Sequence, residues 1–223
     1  MYLGIETSTP VCSVALFDEE GAKHVLDYRV DKSHSSRLTI QIQEIMHLSG
    51  LKLSELSGIW FSDGPGSYTG LRIGASVAKG LAFVHNLPLY TRSGLMASAS
   101  RSFKTQSQGV HLACSDARRE DIYMVLMDAD GRVLNEPRLC SLGEDLEAVL
   151  GKSLEGPVYV SGEGRHKVLE KMTNMNLVDC GWGHSAENLA YLDTQNADNQ
   201  NVMLFEPYYM QSPNITQSKK LIG

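Results

Sequence analysis

The chain has 223 residues, 42% of them hydrophobic and 21% charged, enough for one large or two small cores. Its net charge of −6, with no basic run longer than the pairs Arg118-Arg119 and Lys219-Lys220, argues against autonomous nucleic-acid binding, which draws on clustered Lys and Arg. Cys12, Cys114, Cys140 and Cys180 lack metal-knuckle or disulfide spacing, and no stretch reaches the ~18 apolar residues of a membrane span, so a cytoplasmic protein with reduced thiols and no membrane association is expected.

In chain order, "YLGIET" (2–7), "CSVALF" (12–17) and "AKHVLDYRV" (22–30) predict three strands of a meander. A helix follows over 35–50, with Ser35 or Ser36 as N-cap, Leu38, Ile42 and Ile45 on one face, and Ile40 and Met46 lying away from that stripe. "GIWFSDG" (58–64) is strand-like, residues 67–86 are helical, and "NLPLY" leads into another strand. The polar stretch 99–108 reads as unstructured and marks a boundary. Strands are then predicted at 109–117, 120–128 and 131–139, the last two joined by an Asp130-Gly131 hairpin turn. A helix at 142–151, a strand at 157–162, a helix at 165–172, a short strand near 176–179 and a helix at 185–192 complete the pattern.

The order βββαβα thus occurs twice, which predicts an α/β fold of two tandem ribonuclease H-like domains with mixed sheets flanked by helices. The expected division is 1–102, 103–211 and a polar tail at 212–223, partly disordered.

The densest glycine run, "SDGPGSYTGLRIG" (62–74), joins a strand to a helix. A Walker A loop fails because no lysine occurs before Lys79, and a dinucleotide loop fails because Thr69 stands where the third glycine belongs. Two readings stay open: an anion site on the free amides of residues 67–70, or a helix start capped by Ser67. Arg72 opposes the helix dipole and needs a partner, either Asp63 or a bound phosphate. Gly70, Gly74, Ala78 and Ala82 form a stripe of small residues that suits close packing, on the chain's own sheet or on a helix of another subunit. His34, beside Ser33 and Ser35, reads as a helix-start histidine rather than part of a triad.

The duplicated topology, "LGIETSTPVCSVAL" (3–16) and "GPGSYTGLRIG" (64–74) resemble the ASKHA superfamily of actin-like, sugar-kinase-like and Hsp70-like folds. Within it, "HSSRL" (34–38), "DARREDIYMVLMD" (116–128) and "EPYYMQ" (206–211) are similar to the TsaB (YeaZ) family. That resemblance implies a non-catalytic subunit in threonylcarbamoyladenosine modification of tRNA, paired with a TsaD-like paralogue and a TsaE-like ATPase. It also implies tRNA contact only within the complex and a homodimer in isolation. The implied partner interface lies on the first two helices: Leu38, Ile42, Ile45, Met46, Gly70, Ile73, Gly74, Val77 and Leu81. A vestigial anion or nucleotide site would comprise Glu6, Gly66, Ser67, Thr69 and Arg72. No cofactor and no catalytic residue are expected, beyond weak nucleotide binding in a complex. The metal-binding histidine pair of TsaD-like chains falls here on Gly94 and Ser98, and their second-domain phosphate glycines fall on "CSDARRE" (114–120). A glycine pair in "SGEGRH" (161–166) stands near the adenosine loop. The alternatives are an ASKHA-fold small-molecule kinase or ATPase using Glu6 and residues 67–70, and a metallopeptidase-like protein.

Overall fold

The computed structural model describes residues 1–29, 34–106, 108–151, 156–193, 197 and 199–210. The first half runs β1 (Tyr2–Glu6), β2 (Val11–Asp18), β3 (Gly21–Arg29), α1 (His34–Ser49), β4 (Gly58–Ser62), α2 (Tyr68–His85), β5 (Leu89–Arg92) and α3 (Gly94–Thr105). The second repeats the order: β6 (Val110–Asp116), β7 (Asp121–Met127), β8 (Val133–Ser141), α4 (Glu144–Leu150), β9 (Val158–Ser161), α5 (Arg165–Lys171) and β10 (Leu177–Asp179), ending in a 3₁₀ turn at Ala186–Tyr191. The sheet orders β3-β2-β1-β4-β5 and β8-β7-β6-β9-β10 correspond strand for strand. In each, the meander is antiparallel and the crossover strands are parallel. The expected α/β class with duplicated mixed sheets is therefore present.

β1 pairs with β2 on one side and β4 on the other, so it is buried on both faces and carries apolar Leu3 and Ile5 on one of them. One face of the first sheet packs on α1 and α2 through Leu38, Ile42, Ile45, Leu71 and Ala78. The inner faces are covered by exchange. α3 lays Leu95 and Ala99 on β6 and β7 of the second sheet, while Ala186 and Leu189 of the 3₁₀ turn pack on Phe17 and Trp60 of the first. Full burial of Leu95 alone contributes about 2 kcal/mol. Each half thus lacks a complete core without the other.

Four local expectations change. Residues 99–105 are helical, because α3 buries Ala97, Ser98, Ala99 and Ser102, a face of small residues that large-apolar periodicity does not reveal. α1 starts at His34, so Ser35 and Ser36 lie inside it rather than at its N-cap. The last predicted helix is a 3₁₀ turn, capped by the Ser185 hydroxyl accepting from the Glu187 amide. Met46 joins the core because it follows Ile42 by four residues and shares its face, while Ile40 is half exposed as expected. The tail at 212–223 lies outside the described residues.

Candidate functional site

The carboxyl ends of β1 and β4 converge on the glycine loop, where sequence spacing left an anion site and a helix cap as alternatives. Ser67 caps α2, its hydroxyl accepting from the Gly70 amide at 3.2 Å. The Ser67 amide is itself taken by the Ser8 carbonyl at 2.6 Å, and the Leu71 amide by the Ser67 carbonyl. A Cβ at Gly66 would collide with that Ser8 carbonyl, and one at Gly70 with the Thr7 carbonyl. Thr7 closes the lock by donating from Oγ1 to the Gly70 carbonyl at 2.9 Å. The loop glycines therefore admit the chain's own first strand end at the place where an anion would approach. The small-residue stripe has the same explanation: a Cβ at Gly74 would collide with Thr7 and Phe61, and Ala78 and Ala82 are buried against their own sheet.

The residues assigned to a vestigial site separate. Ser67, Thr69 and Arg72 are exposed at the start of α2. Arg72 does not pair with Asp63: its guanidinium lies 5.1 Å from the Tyr68 ring, which stacks at a tilt on Tyr209. The Asp63 carboxyl instead faces Thr91 and Arg92, and burial pushes it up to about 6. Residues 207–209 run over the loop, with the Tyr208 amide donating to the Asp63 carbonyl at 3.0 Å.

Glu6 points elsewhere, toward the N-terminus of α3. Its Oε1 accepts from the Ser8 amide at 2.5 Å. Burial raises its pKa, opposed by the nearby Ser62 and Ser8 hydroxyls, although neither hydroxyl completes a hydrogen bond to a protein partner. Glu6 Oε2, Ser62 Oγ and His184 Cδ2 lie 2.8, 2.7 and 3.0 Å from the point a Cβ on Gly94 would occupy. His184 is a participant that sequence reasoning missed, because "CGWGHSAEN" carries no periodicity and its neighbours are brought in by the tertiary fold. It is buried, and burial lowers its pKa to about 4, so the ring is neutral at pH 7.

Gly94 and Ser98 line the same face of α3 and are both buried. Any side chain at 94 would strike Glu6, Ser62 and His184, and Ser98 Oγ accepts a hydrogen bond from the Asn188 side-chain Nδ2 at 3.0 Å. Neither position can offer an imidazole to a metal. Among the described residues, no group of three or more His, Cys, Asp or Glu side chains is arranged to hold a metal ion, and no helix is long and apolar enough to cross a membrane.

In the second half the corresponding turn, 117–120, is exposed from Arg118 to Glu120, with Arg118 and Arg119 at φ 75° and 48°. Its loop after β9 packs inward as in the first half, the Gly164 amide donating to the Cys114 carbonyl at 3.0 Å.

The interface candidates divide by burial. Leu38, Ile42, Ile45, Met46, Gly70 and Gly74 are already buried inside the chain, whereas Ile73, Val77 and Leu81 are half-buried at the rim of that core. Phe83 and Val84, beyond them on α2, are largely exposed.

Comparison with known proteins places this geometry. The family model described as "TsaD: tRNA N6-adenosine threonylcarbamoyltransferase" matches residues 26–217. The chain is 39% identical over 121 residues to the tRNA threonylcarbamoyladenosine biosynthesis protein TsaB of Haemophilus influenzae, covering 54% of this chain and about half (51%) of that protein. It is 33% identical over 163 residues to the Escherichia coli TsaB protein, covering 72% of this chain and 68% of that one. The solved structure of YeaZ from Pseudomonas aeruginosa superposes with a TM-score of 0.77 at 24% identity, over 93% of this chain and 98% of that one. An activator of 2-hydroxyisocaproyl-CoA dehydratase from Clostridium difficile, solved with bound ADPNP, shares the fold at a TM-score of 0.55 and 9% identity, over 85% of this chain and 92% of that one. With the family model spanning most of its length and TsaB proteins as its relatives, this chain belongs to the TsaD-like family and within it is similar to TsaB.

Proposed function

We propose that the chain is a cytoplasmic, non-catalytic subunit of threonylcarbamoyladenosine biosynthesis on tRNA, acting by scaffolding and activating a TsaD-like transferase, together with a TsaE-like ATPase. The observation that carries the non-catalytic part is the locked glycine loop: the Ser67 amide and the space at Gly66 and Gly70 are taken by the Thr7–Ser8 backbone. Gly94 and Ser98 on α3, where the resemblance sets a histidine pair, support it as well. The same filling weighs against the kinase or ATPase alternative, which needs the amides of 67–70 for phosphate.

Pairing would use the rim of α2, Ile73, Val77 and Leu81, continued by the exposed Phe83 and Val84, with α1 beside it. The isolated chain would close the same face in a homodimer. Arg118 and Arg119 are presented for tRNA only within the assembly, since the chain's net charge of −6 disfavours binding tRNA alone. Depletion of the protein followed by nucleoside analysis of tRNA tests the assignment: threonylcarbamoyladenosine should fall and return on complementation. Unchanged modification would remove the proposal.

A further inference from the structure

After the 3₁₀ turn the chain returns from the second half and lays residues 199–210 along the first. The Gln200 amide donates to the Leu89 carbonyl at 2.7 Å and Asn199 Oδ1 accepts from the Leu89 amide at 3.3 Å, so the segment covers the edge of β5. Asn201 then caps a single turn, its Oδ1 accepting from the Met203 and Leu204 amides. Lys79 of α2 secures that turn, its ammonium donating to the Phe205 carbonyl at 2.9 Å and the Met203 carbonyl at 3.4 Å. Within 199–210 only Phe205 is buried, edge-on to Phe61 at 6.0 Å, while Met203 and Leu204 are 71% and 77% exposed. A segment with one apolar anchor opens locally at low cost. It also leaves a cavity of about 320 Å³ beneath it, lined by Asp63 and Thr91 from the ends of β4 and β5 and by Gln200, Asn201, Leu204 and Glu206 of the segment. Asp63 is tied to the cover as well, its carbonyl accepting from the Tyr208 amide at 3.0 Å.

We propose that residues 199–210 form a latch over the flank of α2, fastened while the Asp63 side chain is protonated and loosened when it ionises. The charged groups around Asp63 are Arg92 on β5, Glu206 on the segment and Glu6 on β1, whose own carboxyl feels Asp63. Thr91, Arg92 and the Asp63 amide all favour the ionised carboxyl, yet burial outweighs them and pushes it up to about 6. The fastened form therefore holds the proton more tightly than the open one. Fastening is strongest below about pH 4 and falls away as pH rises through about 6. Loosening uncovers the edge of β5 and the Lys79 side of α2, whether or not the chain serves tRNA modification. His184 acts in the opposite sense, since its burial penalises the protonated ring, so its titration does not mimic the latch.

The test is amide hydrogen exchange on the full chain between about pH 5 and about pH 8, corrected for the intrinsic exchange rate. It reads the amides of Gln200, Leu204, Phe205 and Tyr208 against those of β1 in the core. Protection of the four should fall about tenfold or more relative to β1 as pH rises, and Asp63→Asn should remove the fall. Thr91→Val deletes a hydrogen bond to the ionised carboxyl and should move the midpoint of the fall to higher pH. That variant carries the test should Asp63→Asn fail to fold. Protection independent of pH in the parent, the same fall in Asp63→Asn, or a midpoint that Thr91→Val leaves in place would each overturn the proposal.

Discussion

The two halves share one topology and treat the same corner differently. In the first, the turn after β1 is "TSTP" (7–10), with Thr7, Ser8 and Thr9 buried and Thr7 and Ser8 bonded into the glycine loop. In the second, the turn after β6 is "ARRE" (117–120), exposed from Arg118 on and tied to α5 by Lys167 donating to the Arg119 carbonyl at 2.8 Å and by Lys171–Glu120. Helix length follows the same division: α2 has 18 residues and anchors the core, α5 only seven. Backbone interlocking is intolerant of a single added atom, while surface ion pairs are worth ~1 kcal/mol or less. The second half keeps a backbone lock of its own, since a Cβ at Gly162 would collide with the Cys114 carbonyl, but its seven-residue α5 offers a much shorter face than the 18-residue α2.

The sharpest way to break this comparison is one methyl group in each corner. Gly70→Ala drives a Cβ into the Thr7 carbonyl and should cost about 3 kcal/mol or more, whereas Gly164→Ala meets atoms no nearer than 3.0 Å and should cost about 1 kcal/mol. Thermal denaturation measures both; equal losses would mean that positions 70 and 164 are equally confined.

The seam between the halves should respond to acid. His184 has a folded pKa of about 4 against an ordinary 6.5, so the unfolded chain takes up its proton first and stability falls as pH drops from about 6.5 toward 4, by up to about 3 kcal/mol. Asp63 works in the opposite sense: with a folded pKa of about 6, its contribution is lost as pH rises from about 4 through 6. Denaturant titrations across pH should show His184→Gln flattening the acid limb and Asp63→Asn raising stability above pH 6.

Pairing sharpens the comparison further. Val77→Asp at the half-buried rim of α2 should weaken the complex with a TsaD-like partner by about 2 kcal/mol, while Val133→Asp on the exposed edge of β8 should leave it intact, as read by size exclusion. Met46→Asp is a different experiment, since it places a charge in the chain's own core and should lower folding stability first. The smallest effect belongs to Lys167→Ala, which removes a surface pair and should change the unfolding free energy by under about 1 kcal/mol.

Much of the fold was legible because the strands and α1 and α2 carry large apolar residues at regular spacing, and because the duplication repeats that spacing. α3 escaped because Gly94, Ala97, Ser98, Ala99 and Ser102 bury a face with almost no apolar bulk. The site was half legible. The cap at Ser67 and the failure of nucleotide-loop spacings follow from local sequence, and Glu6 was singled out. Its placement against α3 and His184 was not, since it depends on the returning segment crossing from the second sheet onto the first. Arg72 shows the same limit in reverse: the nearest acid in sequence, Asp63, faces another strand, and the partner is the ring one helical turn back.

The most direct test of the account is reconstitution of the modification with purified components: this chain alone, a TsaD-like partner alone, and the two together with the ATPase subunit, threonylcarbamoyl adenylate and tRNA. The account predicts no threonylcarbamoyladenosine from this chain alone and a marked gain when it joins the partner, a gain that Val77→Asp weakens. Product formed by this chain alone, or a partner indifferent to its presence, would contradict it.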